Sequence, residues 1–151
     1  MKWQGRERLL KRMAALPESY KAEMRPALDK GADEMVDLAR RFVPKKTGAL
    51  AASIDKTWGE YRPENANVRG VGAGKGGHDL AVTVHAGDAR AWYAALVENG
   101  TAPHENEGKF AGTRHPGTAP QPYFFPAYRL MKKRIMARIR RAHRKAFKGQ
   151  K

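Results

Sequence analysis

A chain without cysteine has to draw any chemistry from histidine, carboxylates, hydroxyls or a glycine-cradled phosphate. The five histidines, His78, His85, His104, His115 and His143, include no i,i+4 pair and stand at no ligand spacing from a carboxylate. His104, Glu105 and Glu107 do cluster, but in a segment without periodicity that fixes their positions poorly. The stretch from Gly70 to Gly77 holds five glycines in eight residues and invites comparison with a phosphate loop. A P-loop needs Gly, four residues, then Gly-Lys-Ser/Thr, so that a hydroxyl reaches magnesium. Here Arg69 stands where the first glycine belongs and Gly76 where the hydroxyl belongs, so the match fails at both ends. No Gly-x-Ser-x-Gly elbow occurs, no βαβ unit follows the glycines, and the carboxylates scatter along helix surfaces. Asn99-Gly100-Thr101 has the form of a glycosylation sequon, yet reads as a helix end and turn. The expectation is a protein that is not an enzyme, with no catalytic residue, no cofactor and no metal.

Charge is the stronger signal. The 151 residues carry 30 Lys+Arg against 15 Asp+Glu, for a formal net charge of +15. Residues 1–12 hold a net +4 and residues 129–151 a net +11 without one acidic side chain, which leaves the body between them neutral. Two basic ends on a neutral body suit a polyanion or an acidic protein surface, the plainer alternative being solvated, solubilising helix ends. The C-terminal candidates for such contact are Arg129, Lys132, Lys133, Arg140, Arg141, Arg144, Lys145 and Lys148. No zinc finger, RNP sequence, KH-type Gly-x-x-Gly or basic zipper is present, so any nucleic-acid binding is expected to ignore sequence. Zero cysteines exclude a disulfide scaffold and thiol chemistry. No apolar run approaches 18 residues and Met1–Arg8 lacks a signal-like stretch, so the expectation is a soluble, cytoplasmically made protein.

The elements that would carry these residues follow from periodicity. Leu9, Leu10, Met13 and Leu16 share one face of a short helix over 6–16. Tyr20, Met24, Ala27, Leu28, Gly31, Met35, Leu38 and Phe42 recur at three- and four-residue steps, predicting a 25-residue amphipathic helix that Pro26 bends or divides and Pro44 ends. Lys45–Gly48 reads as a turn with Gly48 at positive φ. Strands are predicted within 52–61, more weakly at 67–71, and at 80–85, with the glycine stretch as a hairpin loop. A short helix over 90–98 ends at Gly100, and an irregular segment fills 99–122. A final helix runs from about Phe125 to Phe147 with Pro126 in its first turn. The fold class is therefore α+β: long N-terminal helices, a small antiparallel sheet of about three to four strands, a short helix and a long basic C-terminal helix. The expected organisation is a basic helical arm over 1–17, one α+β domain over 18–128, and a basic helical extension over 129–151. Truncation after Leu130 is then expected to leave the fold largely intact.

Three segments in order carry a family likeness: Val43-Pro44-Lys45-Lys46-Thr47-Gly48-Ala49-Leu50-Ala51-Ala52-Ser53-Ile54, Tyr93-Ala94-Ala95-Leu96-Val97-Glu98-Asn99-Gly100-Thr101, and Ala119-Pro120-Gln121-Pro122-Tyr123-Phe124-Phe125-Pro126-Ala127. Together they resemble the tail-completion, or head–tail joining, neck proteins of long-tailed phages and related prophage or gene-transfer particles, over about residues 18–135. The motif positions are Pro44, Thr47, Gly48, Leu50, Ser53, Tyr93, Val97, Glu98, Gly100, Thr101, Gln121, Pro122, Phe124 and Pro126, with Tyr123 where the family has Phe. The resemblance implies a structural virion protein, made in the host cytoplasm and placed in the neck. There it would form a homo-oligomeric, hexameric ring joining the DNA-filled head connector to the tail tube. Its implied partners are its own copies, the head connector or stopper, the tail terminator or tail tube, and packaged double-stranded DNA held without sequence preference; no membrane is expected. On this view Thr47 and Gly48 launch the first strand, Tyr93, Val97 and Glu98 pack a short helix on the sheet, and Gln121, Phe124 and Phe125 anchor the final helix. The alternatives are a tail terminator or head-closure subunit of the same neck and, from another class, a small sequence-nonspecific DNA-binding protein.

Overall fold

The computed structural model describes residues 18–64 and 78–148. The elements run α1 (Glu18–Phe42), α2 (Ala49–Ala52), β1 (Asp55–Trp58), β2 (Val82–His85), α3 (Ala94–Asn99), β3 (His104–Glu105), β4 (Arg114–His115) and α4 (Phe124–Lys148), with a 3-10 turn at Gly108–Phe110 before β4. The helix expected at 6–16, the weak strand at 67–71 and the glycine stretch at 70–77 lie outside the described residues.

Helix α1 forms as its apolar spacing predicts, burying Met24, Ala27, Ala32, Met35, Val36 and Ala39 along one side. Pro26 removes one amide donor, yet the helix runs through it undivided. Against this face lies α4, antiparallel, so that Tyr20 meets His143 near one end while Glu34 meets Arg134 and Arg138 toward the other. The axes come close because the small residues allow it. A Cβ built on Gly31 would stand 3.3 Å from Ile135 Cγ2, tighter than ordinary side-chain contact. Beside this contact, Arg138 donates to both oxygens of Glu34 at 2.6 and 3.0 Å, with Arg138 only 14% and Glu34 20% exposed. That hydrogen bond is the main reason the Glu34 carboxyl sits below its ordinary pKa.

Among the described residues the fold is α+β as expected, and four strands form two separate antiparallel ladders rather than one sheet. β1 and β2 pair in the register Asp55↔His85 to Trp58↔Val82 and lie against α1. Lys56 ties this ladder to α1 by reaching Asp29 and Asp33, both at 2.6 Å. The other ladder pairs His104 with His115 and Glu105 with Arg114, closed at its base by a bridge between Thr101 and Thr118. The segment 99–122 is therefore a small hairpin arm, too short in its strands to show a two-residue period. Tyr123, Ile54, Ala39, Ala91 and Ala127 are almost fully buried where α1, α3 and the head of α4 meet.

Helix α4 is continuous across residue 129, and its C-terminal part is packed rather than free. Ala146 is 5% exposed, and Tyr20 stands 5.8 Å from Phe147, ring centre to ring centre. This reverses the expectation for truncation after Leu130. The deletion removes Ile135, Ile139 and Ala146 from the apolar face of α1 along with the Glu34–Arg138 pair. We expect the shortened chain to lose cooperative thermal unfolding by circular dichroism. A sharp transition within a few degrees of the full chain would show that residues 131–151 add nothing to the fold.

Candidate functional site

Glu98 lies in the last turn of the six-residue helix α3 and is 7% exposed. Helix α4 opens on Tyr123-Phe124-Phe125, which offers no Ser, Thr, Asp or Asn to cap its free amides. The Glu98 carboxylate supplies the cap from outside. Its Oε2 accepts the Tyr123 and Phe124 amides at 2.7 and 2.9 Å, and its Oε1 accepts the Phe125 amide at 3.0 Å. A carboxylate at a helix N-terminus also meets the positive end of the helix dipole. Two neighbouring bonds complete the splice: the Gln121 amide donates to the Val97 carbonyl at 2.8 Å, and the Tyr123 hydroxyl to the Ala94 carbonyl at 3.4 Å. Burial, with Glu98 nearby, pushes the Tyr123 hydroxyl well above the ordinary tyrosine pKa.

Glycine is required at Gly100, where α3 ends. Its φ is +69°, and a Cβ there would fall 2.5 Å from the Thr118 carbonyl oxygen and 2.8 Å from Pro120 N. The first motif is fixed by equally local means. Gly48 takes φ +80° and starts the single turn α2, so the turn launches a helix before the strand rather than the strand itself. Ser53 donates its hydroxyl proton to the Leu50 carbonyl at 2.8 Å and accepts the Gly87 amide at 3.1 Å, tying α2 to the segment after β2. Arg40 of α1 caps the same corner, donating to the Ile54 carbonyl at 2.7 and 3.2 Å.

These three segments meet around one open cavity of about 240 Å³. Pro44, Thr47, Gly48 and Leu50 come from the first motif, Tyr93 and Val97 from the second, and Ala119 and Gln121 from the third. Lys46 and Thr118 complete the wall, and most of the exposed lining is apolar. Ser53, Glu98, Phe124 and Pro126 stand outside the cavity lining, and of these Ser53 and Glu98 tie its walls to the rest of the fold. Sequence reasoning gives Glu98 only the packing of α3 on the sheet and misses its trans-capping role, although an uncapped helix and one carboxylate in an apolar helix are both visible there.

The basic candidates divide by geometry. Lys145 is engaged, 2.9 Å from Glu23 of α1, while Lys132 lies 5.9 Å from the centre of the Tyr128 ring. Arg129, Lys133, Arg140, Arg141, Arg144 and Lys148 are exposed and have no carboxylate at ion-pair distance among the described residues.

The histidines do not gather. His104 and His115 stack across the hairpin with ring centres 5.0 Å apart, and His143 meets the Tyr20 hydroxyl at 2.7 Å. No group of three or more metal-ligating side chains forms among the described residues. His85 stacks on Tyr61 at 4.0 Å and places Nε2 3.0 Å from Thr57 Oγ1, while its buried Nδ1 has no partner among the described residues. Burial lowers the His85 pKa, partly opposed by Asp55. No helix among the described residues is long and apolar enough to cross a membrane.

Comparison with known proteins adds one match. The family described as "Bacteriophage HK97-gp10, putative tail-component" matches over residues 7–100. That stretch takes in the first motif and the second up to Gly100, and leaves out Thr101, the strands of the hairpin arm, the third motif and α4. No curated protein and no solved structure matches the chain.

Two outcomes follow from this geometry. Glu98→Ala strands the buried Tyr123 amide and removes the acceptor of the partly buried Phe124 and Phe125 amides, and should destabilise the fold by about 3 kcal/mol, an unpaired buried donor costing ~1–3 kcal/mol. Glu98→Gln, which keeps one acceptor oxygen, should fall between it and the parent; equal chemical-denaturation midpoints for all three proteins would refute the cap. His85 generates a pH effect. Its pKa is lower folded than unfolded, so the unfolded chain binds more protons between those values, and stability falls as pH drops below about 6.5. His85→Phe, which keeps the ring on Tyr61, should flatten the melting temperature between pH 7 and 5.5, above the range where the Glu34 and Asp29 carboxylates titrate. An unchanged slope in that variant would assign the effect elsewhere.

Proposed function

Because the chain belongs to the HK97-gp10-like family of bacteriophage tail components, we propose that it is a structural subunit of the phage neck that acts by assembly and not by chemistry. In this reading copies of the chain form a ring between the head connector and the tail tube, the junction that completes the tail. The observation that carries it is the convergence of the three motifs on a single open apolar cavity. Residues chosen only for folding one subunit would lie in its core, as Tyr123 and Ile54 do. Thr47, Ala119 and Gln121 are instead exposed at the cavity mouth. A cavity of this size admits one or two apolar side chains from a neighbour, the anchor-in-pocket arrangement that dominates interface energetics.

Phe110 supplies a side chain of that kind. It sits beyond β3 at the far end of the hairpin arm, 69% exposed, and the arm projects from the same loop whose base forms one wall of the cavity. An arm that enters a neighbour's cavity makes a head-to-tail contact, which closes into a ring when the rotation between subunits allows it.

The reading is tested by the mass of the purified chain and of its complexes with head-connector and tail-tube proteins, measured by light scattering. A ring-sized species, alone or on addition of a neck partner, is expected. Ala119→Glu places a charge at the exposed mouth of the cavity and should leave the melting temperature within a few degrees while abolishing the assembled species. Assembly at unchanged stoichiometry in that variant would remove the cavity from the interface.

A further inference from the structure

We infer that the outward face of α4 is a track for the phosphate backbone of duplex DNA, read through Arg129, Lys133, Arg140 and Arg144. The inference concerns a different surface from the cavity and does not depend on ring formation. At about 100° and 1.5 Å per residue, these four fall within roughly 60° of one another around the helix axis and span about 22 Å along it. Arg129 and Lys133 are exposed on the flank of α4 turned from Ile135, Ile139 and Ala146, which face α1, while the exposed Arg140 and Arg144 edge an open cavity shared with Tyr20 and Met24 of α1. Arg141 and Lys148 flank the row.

Three observations select this face. First, the fold has already chosen among the cations. Arg134, Arg138 and Lys145 are turned to carboxylates of α1, whereas the four of the row are exposed and have no carboxylate at ion-pair distance among the described residues. Solubility alone gives no reason for the division between inward pairs and an outward line. Second, the row destabilises the free protein. Arg129 with Lys133, Arg140 with Arg144, and Arg144 with Lys148 are like charges at i,i+4, each destabilising a helix by several tenths of a kcal/mol. No acidic residue interleaves them, although acids abound on α1. An arrangement that opposes its own folding has its justification in a partner that neutralises it.

Third, the partner's charge must be linear and of one sign. Duplex DNA carries one negative charge per about 1.7 Å of axis, so a 22 Å row faces about a dozen phosphates. Protein surfaces mix signs over such a distance, which would leave part of the row facing cations. Nothing on the row supplies the paired donors in a groove that base readout needs, so the contact is to the backbone and indifferent to sequence.

The test uses the full chain and a fluorescent 30-base-pair duplex of mixed sequence, with anisotropy read from 50 to 300 mM salt. The parent should bind at low salt and release steeply as salt rises. Arg129→Gln/Lys133→Gln/Arg140→Gln/Arg144→Gln should weaken binding at 100 mM salt at least tenfold and flatten the log–log salt slope by about 3–4, near 0.9 for each phosphate no longer neutralised. The same variant should melt no lower than the parent, because the repulsions within the row are gone. That pairing of readouts separates a binding row from a structural one. Replacing the three arginines while keeping their charge, as Arg129→Lys/Arg140→Lys/Arg144→Lys, should retain most of the parent's affinity. A parent that fails to bind duplex at 50 mM salt overturns the inference and favours an acidic protein face as the partner. Full binding by the glutamine variant also overturns it and transfers the contact to the basic residues of 1–12.

Discussion

One carboxylate holds the two halves of this molecule in register. Glu98 closes α3 and opens α4, and without its two oxygens the buried Tyr123 amide and the partly buried Phe124 and Phe125 amides would lose their acceptor. The bond set is short, charge-assisted and at least partly buried, conditions that strengthen hydrogen bonds and make their removal destabilising. It also fixes geometry. The chain must leave α3 at Gly100, build the hairpin arm, and return within hydrogen-bonding reach of the residue it left. The Thr101–Thr118 bridge and the Gln121–Val97 bond close that circuit. The cavity wall made by Ala119 and Gln121 is a by-product of the return. Its shape therefore depends on an interaction that no residue of the cavity makes.

How much of this can be read from the sequence varies with the range of the interactions. α1 and α4 are legible almost to the residue, because an apolar stripe at helical spacing is a local pattern that packing then confirms. Gly48 and Gly100 are legible as turns because positive φ is a property of a single residue. β1 and β2 can be placed from their alternation, but β3 and β4 cannot, since two-residue strands such as His104–Glu105 are too short to alternate. The Glu98 cap is invisible for a different reason. A cap normally sits within three residues of the amides it serves, whereas this one comes from 25 residues upstream of Tyr123. What the sequence does show is its trace: a helix beginning on three aromatics with no capping residue of its own.

The basic C-terminus shows how a correct count can mislead about structure. Eleven cations without an acid read as an appendage, and an appendage reads as dispensable. The missing acids are on α1. Glu34 and Glu23 face Arg134, Arg138 and Lys145, so these three cations find across the helix pair the partners that are absent along α4. Burial decides which pair matters: with both partners largely shielded, Glu34–Arg138 keeps an attraction that salt screens weakly, while the exposed Lys145–Glu23 pair contributes little.

Together these constraints determine which way the remaining cations face. Turning α4 about its axis by one residue, about 100°, would swing the row toward α1. Three independent features oppose that rotation. Glu98 seizes the first three amides, so the helix cannot start elsewhere. Ile135 lies over Gly31, where the built Cβ distance of 3.3 Å leaves no room for a different side chain of its size. Arg138 grips Glu34 with both nitrogens, a fork that tolerates little twist. The family match ends at Gly100, yet the residue two before it sets the start of everything that follows. A change at Glu98 would therefore disturb the cavity and the basic face together, though neither contains it, whereas a change at Ala119 or Arg140 would disturb only its own surface.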